Sequence, residues 1–331
     1  MATYKGIQGS TVQSLASDPP AAQSVGQLWY NSASNVWKLS VSGTGAWASG
    51  GDLNTAVGSN QGFGIQTAAL QCGGAPAANE PRTETYNGTS WTEVGVLNTG
   101  RQAQGTFGVL TAGMVAGGYN PSGELAEAED WNGASWTETT DITTERTSVR
   151  GCGTTTAGLI AGGYAPPPAL QLDIVESWNG TGWTEETDMN TRRSGAGISI
   201  GSPATDVIIF AGYAQPPPNT ANAEVWNGTT WTEVVDLGTA KDNVGGSGNS
   251  STSALCFGGR GPPVIAATEA WNGTSWTEVA NLALARGYGA SAGSASSALF
   301  TGGEAPGTPY YRENTEEWND PVYATKTVTT S

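Results

Sequence analysis

Apolar and polar positions along this chain fall into a unit that recurs. Short apolar runs end in a glycine pair, as in GMVAGG, GLIAGG, ALCFGG and ALFTGG, with VIIFAG as a variant. A stretch of small residues such as RQAQGTFGV precedes each run. A loop of variable length follows, then Glu-x-aromatic-Asn-Gly, then Trp-Thr-Glu. Runs this short, bounded by turn residues, read as strands rather than helices. The first aromatic of each unit falls at Tyr86, Trp131, Trp178, Trp226, Trp271 and Trp318, at intervals of 45, 47, 48, 45 and 47 residues. So steady a period predicts a repeat architecture with four β segments per unit. Asn-Gly is the strongest tight-hairpin signal, so it is expected to join the third segment to the fourth, through a two-residue or a four-residue turn. The glycine pair is expected where the second segment ends and the backbone must bend or pack closely.

Four short strands per unit is the pattern of a propeller blade. Five units carry a fourth-strand tryptophan, at Trp91, Trp136, Trp183, Trp231 and Trp276, and the unit of Trp318 has none downstream. The missing copy lies upstream, where AWASGGDLNTAVG matches SWTEVGVLNTGRQ and Trp47 stands six residues before Leu53 as Trp91 does before Leu97. The expectation is an all-β fold, a six-bladed propeller closed by an N-terminal strand, with Trp47 and Trp318 in paired strands. An open ring would leave two sheet edges unpaired. The boundaries are 1–42 for an N-terminal segment, 43–320 for the propeller and 321–331 for a C-terminal tail.

The unit resembles a kelch repeat: an apolar strand ending in Gly-Gly, a downstream aromatic, then a Trp, over roughly residues 43–319. It departs from that pattern in the FAG of the VIIFAG unit and in unusually uniform Asn-Gly turns. The resemblance implies aromatics packed between blades, and loops between strands 2 and 3 that share a face with the turns between strands 4 and 1. It implies no activity, since one scaffold hosts enzymes, adaptors and virion parts.

One acid per unit (Glu84, Glu129, Glu176, Glu224, Glu269, Glu316) precedes the third-strand aromatic by two residues, and Arg101, Arg146, Arg193, Lys241 and Arg286 each follow a fourth-strand Trp by ten. Val57 interrupts the basic series. Charges at a fixed phase predict a structural ion-pair ladder, between strands or between blades, rather than catalysis. Variation marks the loops between strands 2 and 3, which carry proline and tyrosine. Tyr119, Tyr164, Tyr213, Arg260, Tyr310 and Tyr311 are the candidate binding residues there, on loops that proline stiffens before binding. Asp173, Glu304 and Glu313 are off-repeat carboxylates that a polysaccharide-degrading enzyme would need to bring together in a cleft. The Ser and Asp of the sialidase box are absent.

Composition narrows the chemistry further. The chain has 331 residues, 48 of them Gly and 13 Trp, and a formal charge of -16 from 13 basic and 29 acidic residues. Basic side chains are too few to build a face for nucleic acid or anionic membrane. No His is present, which removes His general bases, Ser-His and Cys-His nucleophiles and most transition-metal sites. No catalytic residue, cofactor or metal is assigned. Cys72, Cys152 and Cys256 read as small buried thiols. The N-terminus lacks the apolar core of a secretory signal, so synthesis in the cytoplasm is expected, with release by lysis or a signal-free route.

Residues 1–42 stand outside the repeat. GQLWYNSASNVWKLSV reads as a β-hairpin with Trp29 and Trp37 flanking a Ser/Asn turn. It resembles the Gly-Gln-x-Trp-Tyr-Asn modules near the N-termini of virion proteins of tailed bacteriophages, especially marine ones. The resemblance implies a non-enzymatic virion structural protein associated with a tail or fibre. Residues 1–42 would attach it to other virion proteins, and the propeller would face a host surface glycan, a host protein or neighbouring subunits, in many copies or as a homo-oligomer. The competing expectations are a capsid decoration or tail coat with no receptor role, and the polysaccharide-degrading enzyme.

Overall fold

The computed structural model describes residues 13–20, 24, 26–75, 80–166, 170–214 and 219–328. The chain divides into two compact units, Ala46–Asn319 and the pair of end segments Met1–Gly45 and Asp320–Ser331. Among the described residues every regular element is a strand.

The larger unit holds six four-stranded antiparallel sheets, numbered here in chain order. The first comprises Gln61–Ile65, Ala68–Cys72, Thr83–Tyr86 and Trp91–Glu93, and the next four repeat that order. The sixth takes Ala290–Gly293, Ser297–Thr301 and Thr315–Asn319 from the end of the repeat and its fourth strand, Ala46–Ser49, from the beginning, with Trp318 opposite Trp47 in register. The result is a propeller-like all-β fold.

The Asn-Gly turns are four residues long. Tyr86 pairs with Trp91, and the Asn87 side-chain oxygen accepts from the Thr89 and Ser90 amides, both at 2.9 Å. The same bonds recur from Asn132, Asn179, Asn227 and Asn272. The Asn side chain thus stands in for a backbone acceptor, and only the Gly takes a positive φ, 88° at Gly88. The glycine pairs are required by conformation and space together. Gly73 and Gly74 have φ of 67° and 113°, and a Cβ on Gly73 would sit 2.4 Å from the Arg101 carbonyl oxygen. In the VIIFAG variant, Ala211 is forced to φ 58°.

Third- and fourth-strand aromatics pack in pairs, with ring centroids from 4.9 Å apart for Tyr86 and Trp91 to 5.6 Å for Trp318 and Trp47. Each fourth-strand indole also reaches the sheet before it. Trp136 Nε1 donates to Thr83 Oγ1 at 2.9 Å, Trp47 Nε1 to Thr268 Oγ1 at 3.0 Å, and Trp91 Nε1 to Thr315 Oγ1 at 2.9 Å, from the first sheet to the sixth. The buried apolar residues form clusters that join neighbouring sheets, such as Phe107, Met114, Val149 and Ile160 between the second and third.

The acid and base series meet within sheets. The link that leads into a sheet carries the base, which turns back onto that sheet's third strand: Arg101 Nη2 lies 2.8 Å from Glu129, Arg193 Nη2 2.7 Å from Glu224 and Lys241 Nζ 3.1 Å from Glu269. Arg146 pairs with Glu176 and Arg286 with Glu316 in the same way. All five cations are fully buried. Burial lowers the proton affinity of Arg146, Arg193 and Arg286, and their Glu partners oppose that effect. The three Cys are buried and free, as read from the sequence.

The smaller unit is a single sheet in the order Gln13–Leu15, Leu28–Asn31, Val36–Gly43, Val322–Thr327. The expected hairpin is present, but Trp37 pairs with Tyr30 while Trp29 pairs with Lys38. Trp29 is buried, and its Nε1 donates to Asp18 at 3.1 Å. Asn31 donates to the same carboxylate at 2.6 Å and caps the turn by accepting from the Ala33 and Ser34 amides. These bonds, Asn31 first, hold the Asp18 carboxyl below its usual range. The boundary at residue 42 and the tail at 321–331 do not match this division. The β-prone VYATKT stretch supplies an edge strand to Val36–Gly43, so both ends of the chain build one sheet. Residues 1–12, 21–23 and 25 of the expected attachment segment, and 329–331 of the expected tail, lie outside the described residues.

Candidate functional site

At the end of each sheet where strand 2 gives way to its loop, the residue after the glycine pair bridges back to the incoming link. The bridges are Ala75 to Gly58, Tyr119 to Gln102, Tyr164 to Thr147, Tyr213 to Ser194, Arg260 to Asp242 and Glu304 to Gly287. Four of the six candidate binding residues therefore hold one repeat position. The loops beyond return as short ladders, Tyr119–Asn120 with Gly123–Glu124 and Tyr164–Ala165 with Leu170–Gln171. Loop residues 76–79, 167–169 and 215–218, which include prolines read as stiffening, lie outside the described residues.

The next residue of each link adopts a positive φ: Ser59, Ala103, Ser148, Gly195, Asn243 and Tyr288, between 50° and 59°. Their amides form a collar. Ala103 donates to Ser59, Ser148 to Ala103, Gly195 to Ser148, Asn243 to Gly195 and Tyr288 to Asn243, at 2.7 to 3.0 Å. A Cβ crowds the backbone at such an angle, and a bulky side chain such as tyrosine is the least usual occupant of the column. Strain of this kind persists where surrounding contacts over-determine it, and it gathers at functional sites.

Tyr288 sits among the side chains that the repeat does not explain. The Arg260 guanidinium lies over its ring, 5.6 Å from the centroid, within the range of a cation–π contact. Arg260 is fixed from the other side by fully buried Asp242, Nε to Oδ1 at 3.2 Å and Nη2 to Oδ2 at 3.0 Å, and those bonds raise its proton affinity. Across a cavity of about 60 Å³ stand Glu304 and Tyr310. Tyr310 donates to Glu304 Oε2 at 2.6 Å and Ser59 donates to Oε1 at 3.1 Å, so both carboxylate oxygens are engaged. Tyr310 stacks edge-on against Tyr311 at 5.2 Å and is half exposed. Burial pushes the Tyr288 phenol up to about 12, and the Glu304 bond does the same for Tyr310. Both remain hydrogen-bond donors at neutral pH.

Arg260, Tyr310 and Tyr311 thus come together, while Tyr119, Tyr164 and Tyr213 stand on the second, third and fourth sheets. Asp173 is paired with exposed Arg192 at 3.0 Å, Glu313 is exposed, and neither lines the cavity that holds Glu304. Sequence reading missed Tyr288 and Asp242. The signal was present in the odd member of an aligned column: RGYGA against RQAQG, RTSVR, RSGAG and KDNVG. At the opposite ends of the sheets, the turns between strands 1 and 2 line a larger cavity of about 520 Å³ with Ile65, Val109, Ile200, Gln66, Asn249 and Ser294 among its walls and no charged side chain.

No family model matches the chain, and no curated protein matches it. Among solved structures, that of YjhT superposes with a TM-score of 0.69 at 13% identity, covering 83% of this chain and 99% of that one. At that identity the likeness is one of architecture: the chain has an all-β, propeller-like fold similar to that of YjhT.

Proposed function

We propose that this chain is a non-enzymatic structural protein of a bacteriophage particle, associated with a tail or fibre, in which the smaller unit attaches to other virion proteins and the larger one presents a recognition face. In this reading the larger unit is a six-bladed, kelch-like ring closed by Ala46–Ser49. The pairing of that strand with Thr315–Asn319 and the Trp91–Thr315 bond support closure.

The observation that carries the recognition face is the cluster of Tyr288, Arg260 and Tyr310. Aromatic rings, a guanidinium and phenol hydroxyls are the groups over-represented where proteins hold partners. Here they gather on the loop end of the sheets, around a residue kept in a strained conformation. The virion assignment rests on the Gly26–Asn31 stretch, which belongs to a separate compact unit and resembles the modules of tailed-phage proteins. The partner of the face is a host surface glycan, a host protein or a neighbouring subunit.

Immunogold labelling of purified particles with an antibody to residues 46–319 tests the reading. Gold at tail or fibre tips is the expected result. Gold over the head or along a tube would replace it with a coat role, and unlabelled particles would overturn the virion assignment.

A further inference from the structure

In five of the six sheets the buried third-strand Glu holds a cation: a guanidinium in four and an ammonium in one. In the first sheet the equivalent acid is Glu84, fully buried, and the equivalent base is Val57. Glu84 keeps half of the usual arrangement. Its Oε2 accepts from the Asn54 amide at 3.0 Å and the Asn54 side chain at 2.6 Å, as Glu129 Oε2 does from Asn98. Its Oε1, the oxygen that in Glu129 and Glu224 faces the guanidinium, has no hydrogen-bond partner among the described residues. A buried carboxylate oxygen left without a partner is costly.

Val57 fills only the near part of the basic side chain's slot. Its Cγ2 would lie 2.5 Å from a Cβ built on Gly74, and the Arg146 Cγ and Cδ hold the corresponding place beneath Gly163. The far part, where guanidinium nitrogens stand in the sister sheets, is lined by oxygen. Arg101 donates there to the carbonyls of Thr99, Gly117 and Glu127 as well as to Glu129. By repeat phase, the equivalents in the first sheet are the carbonyls of Thr55, Gly73 and Arg82. One carboxylate oxygen and backbone carbonyls suit a hard cation with oxygen ligands, and a single negative charge is balanced by a single positive one. Among the described residues there is no cluster of three or more His, Cys, Asp or Glu able to hold a metal ion, which speaks against a multivalent occupant.

We infer that the first sheet binds a monovalent alkali cation on Glu84 Oε1 and the carbonyls of Thr55, Gly73 and Arg82, in the place that an arginine or lysine side chain fills in the other five sheets. The ion completes the ladder beside the seam where the first sheet meets the sixth.

Thermal melting of the full chain in equal concentrations of sodium, potassium and N-methylglucamine chloride tests this. The expected result is a saturable rise of about 2–4 °C in Tm on replacing the organic cation with a small one. Glu84→Gln should abolish the difference and lower Tm. Val57→Arg should abolish it by supplying the guanidinium. Crystals soaked in thallium should show anomalous density beside Glu84 Oε1. Equal melting of the unaltered protein in all three salts, a cation dependence that survives Glu84→Gln, or thallium density only elsewhere would each overturn the assignment.

Discussion

Trp47 and Trp318 face one another as register partners in adjacent antiparallel strands, with ring centroids 5.6 Å apart. One comes from the start of the larger unit and the other from its end. Trp47 also stacks against Phe257 at 4.9 Å and donates to Thr268, so a single side chain ties the fifth sheet to the sixth. Trp47→Ala is expected to cost about 3 kcal/mol, measured by urea denaturation. Deleting residues 43–51 removes the strand itself and should leave an aggregating chain. An unaltered melting temperature in the deletion would show that the sixth sheet does not need its fourth strand.

The buried ion pairs should respond asymmetrically. Arg101→Met leaves Glu129 buried beside carbonyls that have lost their donor, and a loss of about 3–5 kcal/mol is expected. Adding Glu129→Leu should recover part of that loss, because both charges then leave the interior. A double variant as unstable as the sum of the two single changes would mean that the pair acts through something other than mutual compensation.

At Ala211 the repeat departs from its own rule. The residue takes φ 58° where five sister sheets use glycine. Ala211→Gly should relieve about 1 kcal/mol of backbone strain, offset in part by the freedom glycine gains in the unfolded chain. A small rise in Tm is the expected outcome. The reverse change at the equivalent position of the second sheet, Gly117→Ala, should destabilise by more, since its Cβ would stand 2.7 Å from the Arg146 carbonyl oxygen.

Alkaline pH should loosen the seam at Tyr86. Burial, then the 2.6 Å bond to Glu317, pushes its phenol up to about 12. In the unfolded chain a tyrosine loses its proton at about pH 10, its ordinary value. The folded state therefore holds the extra proton between those values, and the contribution, complete below about pH 10, disappears as pH rises toward 12. Tyr288 and Tyr310 act in the same sense. Urea midpoints taken from pH 8 to 11 should fall less steeply in Tyr86→Phe than in the unaltered chain.

The period, the strand order and the upstream copy of the fourth strand were legible in the sequence because each copy is checked against five others. Glu129 and Arg101 could be paired by phase alone, although phase left open that the pair closes within one sheet. What resisted reading has no second copy. Tyr288 differs from its column in one residue, and only its backbone angle and its contact with Arg260 give that difference meaning. The Val322–Thr327 strand lies outside the repeat, and its partner, Val36–Gly43, is remote in sequence. Turn length was underdetermined because Asn-Gly serves both hairpins, and the Asn side-chain oxygen decides for the longer one.

Two sheets in this chain are assembled from opposite ends: Ala46–Ser49 completes the sixth, and Val322–Thr327 joins the sheet of the smaller unit. During synthesis, the sixth sheet cannot be completed before Thr315–Asn319 has left the ribosome, nor the smaller unit's sheet before Val322–Thr327 has. A product that stops just short of Thr315 has its first five sheets but no partner for the strand of Trp47, and any product that stops short of Val322 leaves Val36–Gly43 with a bare edge. A copy that lacks these late strands carries unpaired sheet edges, each a template for aggregation.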